Sequence, residues 1–268
     1  MGCDKIMRVI INADDYGRSE SQTEAIIASF KKHLITTTTI MVNMPDFERS
    51  ILRAKEEGLM GVIGIHLNLT EGMPLTEDIK QCPRICNKDG TYNKAFHRSR
   101  GGRLFFSRRE AHAVAIEMEA QMRRYVDAGF TMMHIDSHHH VHTDFSVIKE
   151  VLPIARKLGF KSIRLSRNLT VTPSNFIKWV YKWYYNRKIT RGGFLTTDYF
   201  EAAWNMGDGK LLVEGKTLEL MVHPNFLQDD SSGQGRLVDM RVPIEYLERF
   251  LNANASKIEL ISYNDISR

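Results

Sequence analysis

Over residues 5–69, short β-branched runs alternate with stretches of helical periodicity, and this alternation most constrains what the chain can fold into. Residues 5–12 read as a buried strand that ends in Asn12, Asp14, Asp15 and then Gly17. Residues 19–33 follow with Ala25, Ile26, Ile27 and Phe30 at helical spacing and Ser19 or Ser21 as cap. Residues 36–42 form a Thr-rich second strand, residues 46–57 a helix stopped by Gly58, and residues 60–69 a third strand carrying His66. Such alternation demands parallel strands joined by crossover helices, with ligands gathered at the C-terminal ends of the strands.

The pattern resumes further along. A helix over 108–128 places Val114, Met118, Met122 and Val126 four residues apart, a core stripe closed by Gly129. Residues 131–136 form a fourth strand, 147–158 a helix, 161–165 a fifth strand, 217–222 a strand running into His223, 242–252 a helix and 257–262 a last strand. With an eighth near 194–199, the expectation is an α/β fold, a distorted (β/α) barrel of seven or eight parallel strands. It forms one domain over 1–268 with insertions at about 70–109 and 170–200. The run 70–109, rich in Gly and Pro, reads as a lid or binding loop.

Composition narrows the class. The 268 residues, 43% hydrophobic and 26% charged, suffice for a full core. No apolar run approaches the roughly 18 residues a bilayer requires, and the start lacks the apolar stretch of a signal peptide, so a cytoplasmic protein is expected. Ile6 stands where a myristoylation signal needs Ser or Thr. Cys3, Cys82 and Cys86 are an odd set that reads as free thiols. The net charge of +5 comes from dispersed Lys and Arg, with concentrations at 98–109 and 178–191. The second interleaves Trp179, Trp183, Tyr184 and Tyr185 with Lys178, Lys182, Arg187 and Lys188, which would suit nucleic acid, an anionic membrane surface or a sugar. The simpler reading, an amphipathic helix with its aromatic face packed on the body, is preferred; no nucleic-acid partner is expected. Apolar residues in 176–185 offer a homodimer surface.

Polar residues collect at the strand ends: Asp14 and Asp15, His66, the run His138, His139, His140 and His142, and His223. Parallel strands put them all on one rim. Imidazoles with a carboxylate are ligands for Zn²⁺ and related divalent ions, and three protein ligands with open positions mark a catalytic site. As a strand, the histidine run would send His138, His140 and His142 to one side and His139 to the other, so not all reach one ion. Asp136 and His134 stand where they could orient a ligand.

The stretches Asn12–Gly17, Gly64–Leu69 and His134–His142 closely resemble the signature motifs of the YdjC-like, or ChbG-like, carbohydrate deacetylases, in order and spacing. The Thr-rich second strand and the late His223–Pro224 agree as well. The resemblance implies a deformed barrel and metal-dependent removal of an acetyl group from an N-acetylated amino sugar, with chitobiose-type oligosaccharides as one known substrate. Position by position it implies Asp15, His66 and His138 as metal ligands, Asp14 as general base and His223 as acid. Asp136, His140, His142 and Arg164 would support the site or line it. Two departures bear on the substrate. Asn225 follows the His-Pro pair where many relatives have Gly, and Arg164-Leu165-Ser166-Arg167 replaces an Arg-x-Pro-x-Glu pattern, with Arg164 and Arg167 expected to line the sugar cleft.

The ligand types suit Zn²⁺, while Mg²⁺ and Co²⁺ stay open. Two other functions compete: a metal-dependent phosphoesterase, which needs more bridging carboxylates than Asp14, Asp15 and Asp136 supply, and a non-catalytic carbohydrate- or nucleic-acid-binding protein using the basic aromatic surface.

Overall fold

β-branched and apolar residues run almost unbroken through the central strand, the mark of a parallel strand covered on both faces. The computed structural model describes residues 6–98, 100–169, 176–206, 212–227, 236–239 and 244–267. Cys3, Lys5, the segment 170–175 and the first residues of the helix expected over 242–252 lie outside these. Strand β1 (Met7–Tyr16) leads into α1 (Glu20–Lys31), β2 (Thr37–Ile40), α2 (Phe47–Glu56) and β3 (Ile63–Leu67). Among its described residues the expected lid carries three short helices, α3 (Glu77–Lys80), α4 (Lys94–Arg98) and α5 (Arg100–Leu104). Then come α6 (Arg108–Asp127), β4 (His134–Ser137), a 3₁₀ turn (His138–Thr143), α7 (Phe145–Lys157), the two-residue β5 (Ser162–Ile163) and α8 (Phe176–Arg191). The chain ends with β6 (Tyr199–Ala202), β7 (Thr217–Val222), a hairpin of β8 (Pro224–Leu227) and β9 (Arg236–Asp239), α9 (Ile244–Asn254) and β10 (Ile258–Leu260).

The strands form one curled parallel sheet in the order β5-β4-β3-β2-β1-β7-β6, with β10 also on β1. Since β7 covers one edge of β1 from Arg8 to Ala13, the other edge is shared by β10 (Met7–Val9) and β2 (from Asn12 on). The ends of the sheet meet without a regular ladder, through an isolated parallel bridge between Ser162 and Leu195 and through bonds between Asn168 and Phe200. The architecture is therefore the expected distorted barrel. The eighth strand expected near 194–199 begins only at Tyr199, because Leu195 is spent on that single bridge.

Period-two alternation sorts the strand residues into two environments. Val9, Ile11 and Ala13 of β1, Ile135 of β4, and Leu218, Leu220 and Val222 of β7 belong to the large apolar cluster under the helices. Inside the barrel, Ile10, Met132, Ile261, Tyr263 and Ile266 form a small apolar plug, and Leu165, Phe200, Ala202 and Met221 another. Between these lie buried polar groups from alternate positions: Asn12, Asp14, Thr37, Thr39, His66, His134, Asp136 and Glu219. The barrel interior is polar where the site is built.

Helix α6 begins in a capping box, Ser107 with Glu110, and buries Val114, Met118, Met122 and Tyr125. Cys82 and Cys86 are buried free thiols. No helix among the described residues is long and apolar enough to cross a membrane. Helix α8 departs from the expected packing: among its described side chains only Tyr185 and Ile189 reach the core, whereas Trp179, Trp183 and Tyr184 stay exposed. Its apolar residues run round the helix rather than along one stripe, so a single contact face cannot cover them.

Met122 is fully enclosed by the core, so Met122→Ala should lower stability by about 2–5 kcal/mol through lost burial and a residual cavity, read from urea denaturation midpoints.

Candidate metal centre and active-site cleft

Strand β1 delivers two adjacent carboxylates, and its backbone explains how both reach one place. Regular alternation would send them to opposite faces. The pairing of β1 with β2 slips between Ala13 and Tyr16, and Asp15 takes a φ of 74°. That kink brings Asp15 into the cleft beside Asp14, at a backbone cost on the order of 1–3 kcal/mol. Asp is among the residues that best tolerate this region.

Strands β3 and β4 pair with His66 opposite Asp136. Asp136 accepts a hydrogen bond from His66 Nδ1 at 2.7 Å and another from the Thr39 hydroxyl at 2.9 Å. His66 Nε2 then faces Asp15 Oδ1 at 3.1 Å.

The histidine run is not a strand. Past Ser137 the chain winds into the 3₁₀ turn, with His139 and His140 at φ 51° and 57°. The expected shared face of His138, His140 and His142 is therefore lost, because two successive left-handed residues break the alternation. His138 alone turns to Asp15, its Nδ1 2.7 Å from Oδ1. His139 is exposed, with its Nδ1 2.9 Å from the Thr70 hydroxyl. His140 is half-buried in the cleft wall, and His142 is buried below it against Ser137 and the Arg164 carbonyl. His134 does not support a ligand; it stacks on Tyr263 at 3.4 Å and bonds Ser162.

Asp15, His66 and His138 thus converge, all buried, with ligand-type atoms within 4.8 Å of one another. Asp14, His66 and Asp136 form a second such group, but a guanidinium occupies it. Arg164 spans both oxygens of Asp14 at 2.7 Å, reaches Asp136 at 2.8 Å, and its Nε donates to Glu219 at 2.5 Å. Expected to line the sugar cleft, Arg164 is instead 1% exposed and sits beneath it; Arg167 does reach the cleft.

Glu71 was not legible as a site residue. Its Oε2 lies 3.0 Å from His138 Nε2, and Arg18 holds its other oxygen at 2.9 Å. Its position shortly after β3, on the same rim as the other polar residues, was the only signal available. His223, just past β7, is fixed through its backbone N–H to Asp239 at 3.0 Å, and its Nε2 stands 3.9 Å from Asp14. The cleft encloses about 410 Å³ and is walled in addition by Lys94, Arg167, Trp204 and Met221.

Both nitrogens of His66 and of His138 face carboxylates, which favours the doubly protonated ring in each. Burial opposes the charge on His66, but Asp136 and then Asp15 raise its pKa to about 10. His138 is raised too, Asp15 and Glu71 outweighing its burial. Burial also works against ionised Asp15 and Asp14, yet the imidazoles of His138 and His66 hold Asp15, and the Arg164 guanidinium holds Asp14, well below the usual carboxylate range. Burial keeps His140 and His142 neutral, the latter falling to about 3.

Fold and site together define a curled β/α barrel with a buried carboxylate–imidazole cluster at the C-terminal ends of its strands. A model of the YdjC-like protein family matches residues 8–247, and the chain belongs to that family. Among similar proteins, a carbohydrate deacetylase of Clostridium beijerinckii is 30% identical over 97% of this chain and 100% of its own length. A carbohydrate deacetylase of Geobacillus stearothermophilus is 33% identical over 81% of this chain and 79% of its own. The solved structure of an Enterococcus faecalis protein described as a cellobiose-phosphate cleavage protein superposes with a TM-score of 0.73 at 22% identity, covering 97% and 98% of the two chains, and supports the fold.

Removing Arg164 would leave Asp14, Asp136 and Glu219 without their shared cation, so Arg164→Met should cost at least about 3 kcal/mol at neutral pH. Burial, only partly offset by Arg164, already raises Glu219 from 4.5 to about 7. A raised carboxyl contributes stability that is present below pH 4.5 and lost as the pH rises through about 7. Without Arg164 the Glu219 carboxyl would stay protonated to still higher pH, so the deficit of the variant should widen as the pH rises above about 7, measured by urea denaturation at several pH values.

Proposed function

We propose that the protein is a metal-dependent carbohydrate deacetylase that hydrolyses the acetamide of an N-acetylated amino sugar or oligosaccharide. The observation that carries this reading is the convergence of Asp15, His66 and His138 beside Asp14 in an open cleft. Relatives named carbohydrate deacetylases supply the reaction class.

The triad suits a divalent ion by donor type, two imidazoles and a carboxylate. It suits one by support as well: the far nitrogen of His66 is held by Asp136 and that of His138 is within reach of Glu71, the carboxylate–imidazole arrangement usual behind metal ligands. An ion held there would supply Lewis acidity, polarising the amide carbonyl and acidifying the attacking water. Asp14 takes the proton of that water. Arg164 and Asn12 fix its carboxylate and keep it ionised, which makes it a weak base by itself and matches it to an acidified water. His223, across from Asp14, gives a proton from Nε2 to the departing amine. Trp204 and Arg167, the latter 5.7 Å over the indole, offer a stacking face and a donor for the sugar ring.

Occupation of the second acidic group by Arg164 argues against a two-metal phosphoesterase. The matching set of ligands, base and acid would be idle in a purely binding protein. Zn²⁺ fits the nitrogen-rich ligand set, and Mg²⁺ is the competing choice.

Acetate release from N-acetylglucosamine oligosaccharides with added Zn²⁺ or Mg²⁺ tests the reading. Turnover should be abolished in Asp15→Asn and His138→Ala, and should fall about 10²–10⁴-fold in Asp14→Asn; phosphate release from phosphoesters without acetate release would replace this function with the phosphoesterase. Metal uptake must also displace the protons that the neighbouring carboxylates hold on His66 and His138. Apparent affinity should therefore strengthen as the pH rises from 6.5 towards 10, checked by calorimetry in buffers of different ionisation enthalpy. An affinity independent of pH would contradict the ligand set.

A further inference from the structure

Helix α8 exposes Phe176 at 70%, Ile177 at 81%, Trp179 at 46%, Trp183 at 51% and Tyr184 at 49%, with Val180 among them. Exposure of this many large apolar side chains on a single helix marks a contact surface. Its sequence, FIKWVYKWYYNRKITR, carries Lys and Arg in every turn and no acidic residue. Arg187 lies 5.4 Å over the Trp183 ring and Lys188 4.6 Å over Phe145, so the cations sit among the aromatics rather than apart from them.

The surface continues beyond the helix. Tyr181 donates to the Thr143 carbonyl and Tyr184 contacts Phe145, which seats α8 on the N-terminus of α7. At the same N-terminus, Arg103 of α5 pairs with Asp144, and the chain just beyond exposes Leu104 and Phe105, followed by exposed Arg108 and Arg109. Both segments thus contact residues 143–145, directly after the histidine turn that walls the cleft.

We propose that this face docks the protein on an anionic lipid bilayer, with α8 lying in the interfacial plane. Exposed Trp, Tyr and Phe interleaved with Lys and Arg are the composition that settles at the headgroup boundary, where rings bury and cations meet lipid phosphates. Sixteen residues make a helix of about 24 Å, enough to lie along a surface, and no described helix is fit to cross one. Charge decides against a second copy of the chain. An isologous contact through α8 would bring together two helices that each carry Lys182, Arg187, Lys188 and Arg191, with no carboxylate on either helix to offset them.

Cosedimentation with phosphatidylcholine vesicles, with and without phosphatidylglycerol, tests this independently of the reaction in the cleft. Binding should require the anionic lipid, weaken with added salt, and fall at least about ten-fold in Trp183→Ala/Tyr184→Ala and in Lys182→Gln/Arg187→Gln. Unchanged circular dichroism and melting temperature of the variants would confirm that they fold, and acetate release from a soluble substrate should persist in them. Quenching of wild-type tryptophan fluorescence by bromolipid would place the helix at the bilayer. Three results would overturn the proposal: no binding of the wild type to anionic vesicles, binding equal in the folded variants, or a stable dimer that both substitutions dissociate.

Discussion

The contact on which the interior depends is the bond of Arg164 to Asp14, Asp136 and Glu219. A barrel core ordinarily fills with branched apolar side chains; here three carboxylates from β1, β4 and β7 converge in it. Without a buried cation they would repel and take up protons. With it, each carboxylate stays where its strand puts it, and two do further work. Asp14 presents its carboxylate to the cleft, and Asp136 fixes the ring of His66. Arg164 thus acts on both halves of the site without reaching the cleft itself.

Outward from this centre the polar groups form a chain of paired charges: Asp136 with His66, His66 with Asp15, Asp15 with His138, His138 with Glu71, Glu71 with Arg18. Each imidazole is held from two sides, which fixes its orientation more firmly than one partner would. Asp15, His66 and His138 are thereby held together by contacts within the protein. The strain at Asp15 and the left-handed pair at His139 and His140 are the backbone adjustments by which a regular barrel accommodates that arrangement.

Much of this was legible in the residues. Parallel strands follow from β-branched runs alternating with helical periodicity; Asp14–Asp15, His66, the histidine run and His223 follow from polar residues falling at the ends of those runs, and His138 was singled out within the run by the resemblance of the motifs. The aromatic-basic segment was also visible, but its packing was not: a helix with apolar residues all round has no unique buried face, and the body selected Tyr185 and Ile189. Glu71 and the inward course of Arg164 were equally hidden, since a charged residue near a strand end says nothing about which distant partner it meets.

The sequence by itself determined the parallel barrel and the rim on which its polar residues gather, because hydrophobic periodicity and strand direction are local properties. Only the tertiary structure decided how His138 turns to Asp15 while His140 and His142 do not, how two adjacent aspartates share one cleft, and that Arg164 lies below it. These depend on a slipped register, on two left-handed residues and on three carboxylates brought together from separate strands, and none of those is written in the spacing of residues along the chain.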